Sequence, residues 1–311
     1  MRQATLSEKL LVAVPLLVAS CGSDHHVSPW GSARDVPLRQ LFQAPDLGAQ
    51  LARLDRETAS LALALTHELR ATLPLGEGDA LIRGYEGVDA LGRAIHAVRV
   101  VTPRGIVMAV GPIDPSDTRR DQATELVPAL IRASDGVGAY RSGTDLNGDG
   151  RIDVVVRNDA GALSIWHIGA MGAAPYEIEM LAPPERAVDL DEDGRIDLVA
   201  DLPLDAGDAI APRFSDVATF SEGRYSNRSE VARAHHARLA EPEPPALPGP
   251  PPRPELRLRA ALERAFHAAL AAKARSAVLD ELDREAVPPG LKASFDRHRA
   301  RIAALFSRGR E

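Results

Sequence analysis

Two short runs constrain this chain more than anything else in it. The first is Asp145-Leu146-Asn147-Gly148-Asp149-Gly150-Arg151-Ile152-Asp153. The second, Asp189-Leu190-Asp191-Glu192-Asp193-Gly194-Arg195-Ile196-Asp197, begins 44 positions later. Both read D-L-x-x-D-G-R-I-D once the variable pair is masked, and each runs into an apolar stretch, Val154-Val155-Val156 or Leu198-Val199-Ala200. Clusters of Asp, Asn and Gly also make plain polar turns. Two clusters matching position by position argue for a shared task instead.

That task is cation binding. Ca²⁺ is a hard ion that takes six to eight oxygens, and a short loop supplies them from alternate positions if the chain turns sharply. The side-chain candidates are Asp145, Asn147, Asp149 and Asp153 in the first loop, and Asp189, Asp191, Asp193 and Asp197 in the second. Arg151 and Arg195 would each lend a backbone carbonyl. Gly150 and Gly194 stand where the turn needs a residue without a Cβ, and Ile152 and Ile196 would anchor the loops to a core. An EF-hand is excluded, since its loop needs Glu at the twelfth position and a following helix. Here the twelfth residues are Val156 and Ala200, and a β-branched run follows the first loop, which favours strand over helix. A dockerin would also need helices, and the thrombospondin-type calcium repeat would need cysteines.

The pattern D-x-[DN]-x-D-G-x-x-D before an apolar strand resembles the FG-GAP or VCBS repeat family. The likeness covers residues 126–220, with 154–158 and 161–168 read as strand, turn and strand. It implies calcium-loop β-units of the kind that form propeller blades in integrin-like and secreted bacterial proteins. The family's Phe-Gly and Gly-Ala-Pro signatures are absent here. Residues 80–225 leave room for three blade-sized units at most, fewer than a closed propeller uses. The expected fold is therefore α+β, with an open, blade-like β-domain flanked by helices that cover its edges.

Residues 1–21 read as a targeting segment. Arg2 and Lys9 precede an apolar run, too short to span a bilayer, that ends in Val18-Ala19-Ser20-Cys21. This resembles the bacterial lipobox, which implies cleavage before Cys21 and a lipid on its thiol. Cys21 is the only cysteine, so no disulfide staples the mature chain. Gly22 and Ser23 give no retention signal, which favours the outer membrane in a Gram-negative host. Residues 22–45 read as a tether, and His25-His26 as a solvated pair within it.

The rest of the chain falls into segments. Residues 46–75 are predicted to be one helix, on a leucine stripe through Leu47, Leu51, Leu54, Leu61, Leu65 and Leu69. His67-Glu68 opens a zinc-protease H-E-x-x-H, but Ala71 stands where the second histidine is needed. Residues 76–228 form the β-rich domain, and Trp166 belongs to its core. Residues 229–240 are a short helix capped by Ser229. On a helix, the adjacent His235 and His236 point about 100° apart, which disfavours joint chelation. Residues 241–254 hold eight prolines and read as a stiff linker. Residues 255–311 read as a helical hairpin that docks on the β-domain or pairs with a protein partner.

Charge agrees with this plan. Net charge is −7 overall. Residues 135–216 carry 17 acidic and 6 basic side chains, an acidic block that suits cations and opposes a nucleic-acid surface. No catalytic motif appears. The favoured expectation is a non-enzymatic, Ca²⁺-stabilised envelope lipoprotein with a structural or interaction role. Alternatives are an exported hydrolase or accessory braced by Ca²⁺, and an envelope calcium sensor that reports through its C-terminal helices.

Overall fold

A computed structural model describes residues 47–74, 77–88, 92–112, 124–130, 140–203, 207–242 and 252–307. The architecture is α+β, with an N-terminal helix, three antiparallel or mixed sheets and a group of C-terminal helices. No sheet among the described residues closes on itself. The targeting segment, Cys21, the tether with His25-His26, and most of the proline-rich stretch lie outside the described residues.

The predicted 46–75 helix is corrected. Helix α1 spans Leu47–Ser60 only, and strand β1 takes over at Leu63–Thr72. Ala62, at φ 55°, breaks the helix in a left-handed conformation. Leu61, Leu63 and Leu65 alternate with alanine, a period-two signal that the wider leucine stripe concealed. Pairing with the next strand then overrides the helix propensity of leucine. His67 and Glu68 therefore lie on a strand. The β-region also begins earlier than expected, at β1.

The first sheet is a meander of β1, β2 (Asp79–Val88), β3 (Ala94–Thr102) and β4 (Gly105–Val110). Leu54 of α1 packs with Leu63, Tyr85, Ala97 and Val101 to form its core. The Arg83 guanidinium ties the layers together, donating to Glu68 Oε2 at 2.7 Å and to Asp55 Oδ1 at 2.9 Å.

The second sheet orders β5 (Thr124–Leu126), β6 (Ile152–Asn158), β7 (Leu163–Gly169) and β8 (Gly172–Pro175). In the third, β10 (Arg186–Val188), β11 (Asp197–Asp201), β12 (Ser215–Ser221) and β13 (Arg224–Ser226) repeat the meander, and β9 (Ile178–Glu179) adds in parallel beside β13. Each acidic loop thus enters the second strand of a four-strand meander. The strand, turn and strand expected after the first loop are β6 and β7. Val154 sits opposite Trp166, both buried, so Trp166 is a core residue. Its indole N–H donates to Ser164 Oγ at 3.0 Å.

Helix α2 spans Glu230–Leu239, and Ser229 Oγ accepts the Ala232 N–H as the expected N-cap. The C-terminal segment holds three helices, α3 (Pro254–Leu270), α4 (Arg275–Asp283) and α5 (Lys292–Leu305). The first arm of the expected hairpin is itself divided, by Ala272 at φ 60°. These helices dock on the connection between β11 and β12. Leu258, Leu262, Phe266 and Ile302 share a core with Leu202, Ile210 and Phe214, and Phe214 stacks on Phe266 at 4.6 Å.

Two polar clusters lock this docking. Asp208, its side chain fully buried, accepts from Ile210 N at 2.9 Å, Ala211 N at 3.1 Å, Ser294 Oγ and His298 Nε2. Burial alone would push its carboxyl up, but these four bonds outweigh it and hold the group well below the usual carboxylate range. In the second cluster, His236 Nδ1 meets His267 Nδ1 at 2.9 Å. The other ring nitrogen of His236 faces the buried Asp216 carboxylate at 3.7 Å. One imidazole must donate its proton and the other accept it. Burial pushes the His267 pKa down to about 4.

Candidate metal centre

The two loops have the same backbone. Gly150 and Gly194 lie at φ 83° and 85°, as their place in the turn requires. A second left-handed residue occurs two positions earlier, Gly148 at 76° and Glu192 at 62°. Glycine adopts this region freely, whereas a side chain raises its energy by roughly 1–2 kcal/mol. Glu192→Gly is therefore expected to stabilise the chain by about 0.5–1 kcal/mol, once the greater freedom of an unfolded glycine is subtracted. Urea denaturation in chelator measures it.

Loop carboxylates hold this turn from within. Asp145 accepts from Gly148 N at 2.7 Å and Gly150 N at 2.9 Å, and Asp189 accepts from Gly194 N at 3.0 Å. Asp149 Oδ1 takes Arg151 N at 2.9 Å, and Asp193 Oδ1 takes Arg195 N at 2.8 Å. Asp153 Oδ2 and Asp197 Oδ2 reach back to Leu146 N at 2.8 Å and Leu190 N at 3.0 Å. Asn147, nearly fully buried, accepts from Asp149 N at 3.1 Å. Ile152 and Ile196 are buried as anchors. The guanidinium of Arg195 lies over Gly148, so a Cβ there would meet Nε at 2.7 Å.

The arrangement leaves unfilled acceptors. Asp153 is fully buried, yet its Oδ1 has no hydrogen-bond partner, and neither has the buried Oδ1 of Asp189. An orphaned buried carboxylate oxygen is costly. Burial pushes both the Asp153 and the Asp197 carboxyls up to about 7, and the neighbouring loop aspartates push the same way. Ligand oxygens of Asp189, Asp191 and Asp197 all lie within 4.8 Å of one another. Among the described residues this is the only such group of three His, Cys, Asp or Glu side chains. The partly buried triad can hold a metal ion. Asp145, Asp149 and Asp153 do not converge as tightly.

Two tyrosines donate to the loop aspartates, and no local motif marks either. Tyr140 Oη donates to Asp189 Oδ2 at 2.5 Å, and Tyr176 Oη donates to Asp149 Oδ2 at 2.5 Å. Burial, followed by the accepting carboxylate, raises the Tyr140 phenol to about 12 and raises Tyr176 as well. The Tyr140 contact crosses between units, and Tyr176 reaches a loop 27 residues before it, which loop spacing alone cannot show. Compared with protein-family models, curated proteins and solved structures, the chain matches none.

Proposed function

We propose that this chain is a non-enzymatic lipoprotein of the cell envelope whose β-units are braced by Ca²⁺ in the loops at 145–153 and 189–197. The single observation that carries the reading is the twice-built loop, with left-handed residues at matching positions and an unsatisfied buried carboxylate oxygen in each. The donor set is all oxygen, which suits a hard cation over zinc, whose sites draw on histidine and cysteine. Asp145, Asn147, Asp149 and Asp153 would hold one ion. Asp189, Asp191, Asp193 and Asp197 would hold the other, and Arg151 and Arg195 would add backbone carbonyls. A bound cation would supply the positive charge that lets the buried Asp153 and Asp197 ionise. The reading keeps the likeness to FG-GAP or VCBS repeats, with the ion stiffening a scaffold that presents a surface to a protein partner.

The envelope part of the reading rests on the lipobox-like run ending at Cys21. A lipid there would tether the domain to a membrane, the outer one in a Gram-negative host. Mass spectrometry of the chain purified from membranes tests it. An acylated Cys21 as the first residue supports the anchor, and an intact residue 1 contradicts it.

The two ion sites differ in charge. At the ligand positions the second loop carries four carboxylates, the first three and an amide. Ligand charge tunes Ca²⁺ affinity, so Asp193→Ala is expected to weaken binding more than Asp149→Ala. Calorimetric titration with Ca²⁺ ranks them, and the reverse order would refute the assignment of the tighter site.

A further inference from the structure

One main-chain bond and two tyrosines tie the loops and their sheets together. Ile196 N, in the second loop, donates to Leu146 O, in the first, at 2.8 Å. Tyr140 lies five residues before Asp145, in the approach to the first loop, yet its hydroxyl fixes Asp189 of the second. Tyr176 spans the two sheets. Its main-chain N–H donates to Ile165 O of β7 at 2.9 Å, in the sheet that carries the first loop. Its ring packs against Phe220 at 5.1 Å and Tyr225 at 6.0 Å, in the sheet that carries the second. Its hydroxyl returns to Asp149. Leu146 and Ile196 meet in one core with Val155, Leu198 and Tyr225.

We propose that the two loops form one coupled two-ion centre, in which Tyr140 and Tyr176 are positioning residues and filling either loop raises the affinity of the other. This rests on the Ca²⁺ reading above and adds the regulation of that site. The physical basis is shared order. An ion that fixes Asp189 also fixes the Tyr140 hydroxyl and, through Ile196, the Leu146 carbonyl. The first loop then needs less ordering to close on its own ion, and a second ligand that meets an already ordered partner binds more tightly. Two dications repel, but aspartates screen each of them, and the Leu146–Ile196 bond and the tyrosine ties oppose that repulsion. Coupling between sites is reciprocal, so each ion must change the other's affinity by the same factor.

The test is a thermodynamic cycle on the full chain, titrated with Ca²⁺ by calorimetry. Asp191→Ala and Asp149→Ala each disable one loop at an exposed position, so each variant reports the other loop alone. In the wild type, the product of the two association constants is expected to exceed the product of the single-loop constants by at least about 5-fold, within the usual range for coupled sites. Tyr140→Phe keeps the ring and every loop ligand. It is expected to bind two ions and to lose most of that excess. Two ions bound with no excess would overturn the coupling and leave the Ca²⁺ reading standing. An excess that Tyr140→Phe leaves unchanged would overturn the role of the tyrosine. A wild type that binds no Ca²⁺ would overturn both readings.

Discussion

Replacing Asp208 with alanine is expected to cost about 3–5 kcal/mol of folding stability, the usual loss when one partner of a buried charged cluster is removed. The carboxylate is the common acceptor for Ile210 N, Ala211 N, Ser294 Oγ and His298 Nε2. Alanine would strand all four donors in a part-buried site, and each stranded donor carries its own desolvation cost. The His298 ring also packs edge-on to Phe214 at 5.6 Å, so the damage should reach the core beneath α5. Asp208→Asn keeps the volume, but it turns one acceptor into a donor facing other donors, and it should fall between the two. Urea denaturation gives the magnitude, and hydrogen exchange gives the location. Protection should be lost first along α5. A loss below about 1 kcal/mol would show that the clamp does not hold the C-terminal helices down.

Acidification is expected to loosen the same interface from the other side. Burial and the neighbouring His236 hold the His267 pKa at about 4, below its ordinary 6.5. Because the folded-state pKa is depressed, the unfolded chain takes up the proton first as pH falls. The stability that neutral His267 contributes is complete above pH 6.5 and is lost as pH drops toward 4. Over that window the loss is about 3 kcal/mol, from the size of the shift. Asp208 cannot account for it, since a carboxyl already held low loses its contribution only below the ordinary carboxylate pKa. The loop aspartates act in the opposite sense. With folded-state values near 7, Asp153 and Asp197 favour folding at low pH and disfavour it as pH rises. Comparing the wild type with His267→Gln in chelator cancels the aspartates. The wild type should lose stability between pH 6.5 and 4 that the variant keeps. Parallel pH profiles would contradict this.

How far the sequence carried the structure depends on the length of the interactions involved. The turns of both loops, the strands after them and the Ser229 cap were legible because each is written within a few residues. Spacing marked the oxygen-bearing side chains of the loops, and the β-branched run marked β6. The boundary of α1 is hidden in the sequence because two periodicities overlap. Leu47, Leu51 and Leu54 are helical, while Leu61, Leu63 and Leu65 alternate, and only pairing with β2 decides where one ends. Tyr140 and Tyr176 were not legible at all. Tyr140 meets a carboxylate 49 residues away and Tyr176 one 27 away. The docked C-terminal helices were half legible. Their apolar faces could be counted, but Asp208, His236 and His267 come from three separate segments and carry no local pattern that marks them as a lock.

The most direct measurement is a thermal melt of the chain from Gly22 onward, first in chelator, then in millimolar Ca²⁺, with Mg²⁺ as the control. If each loop binds with a Kd of ~10⁻⁴ M at ~10⁻³ M free Ca²⁺, each contributes ~1.4 kcal/mol. The account predicts a rise of several degrees that is specific to Ca²⁺ and is abolished when Asp149 and Asp193 are both replaced by alanine. An identical melt in chelator and in Ca²⁺ would mean that the aspartates only shape turns, and the calcium account would fall.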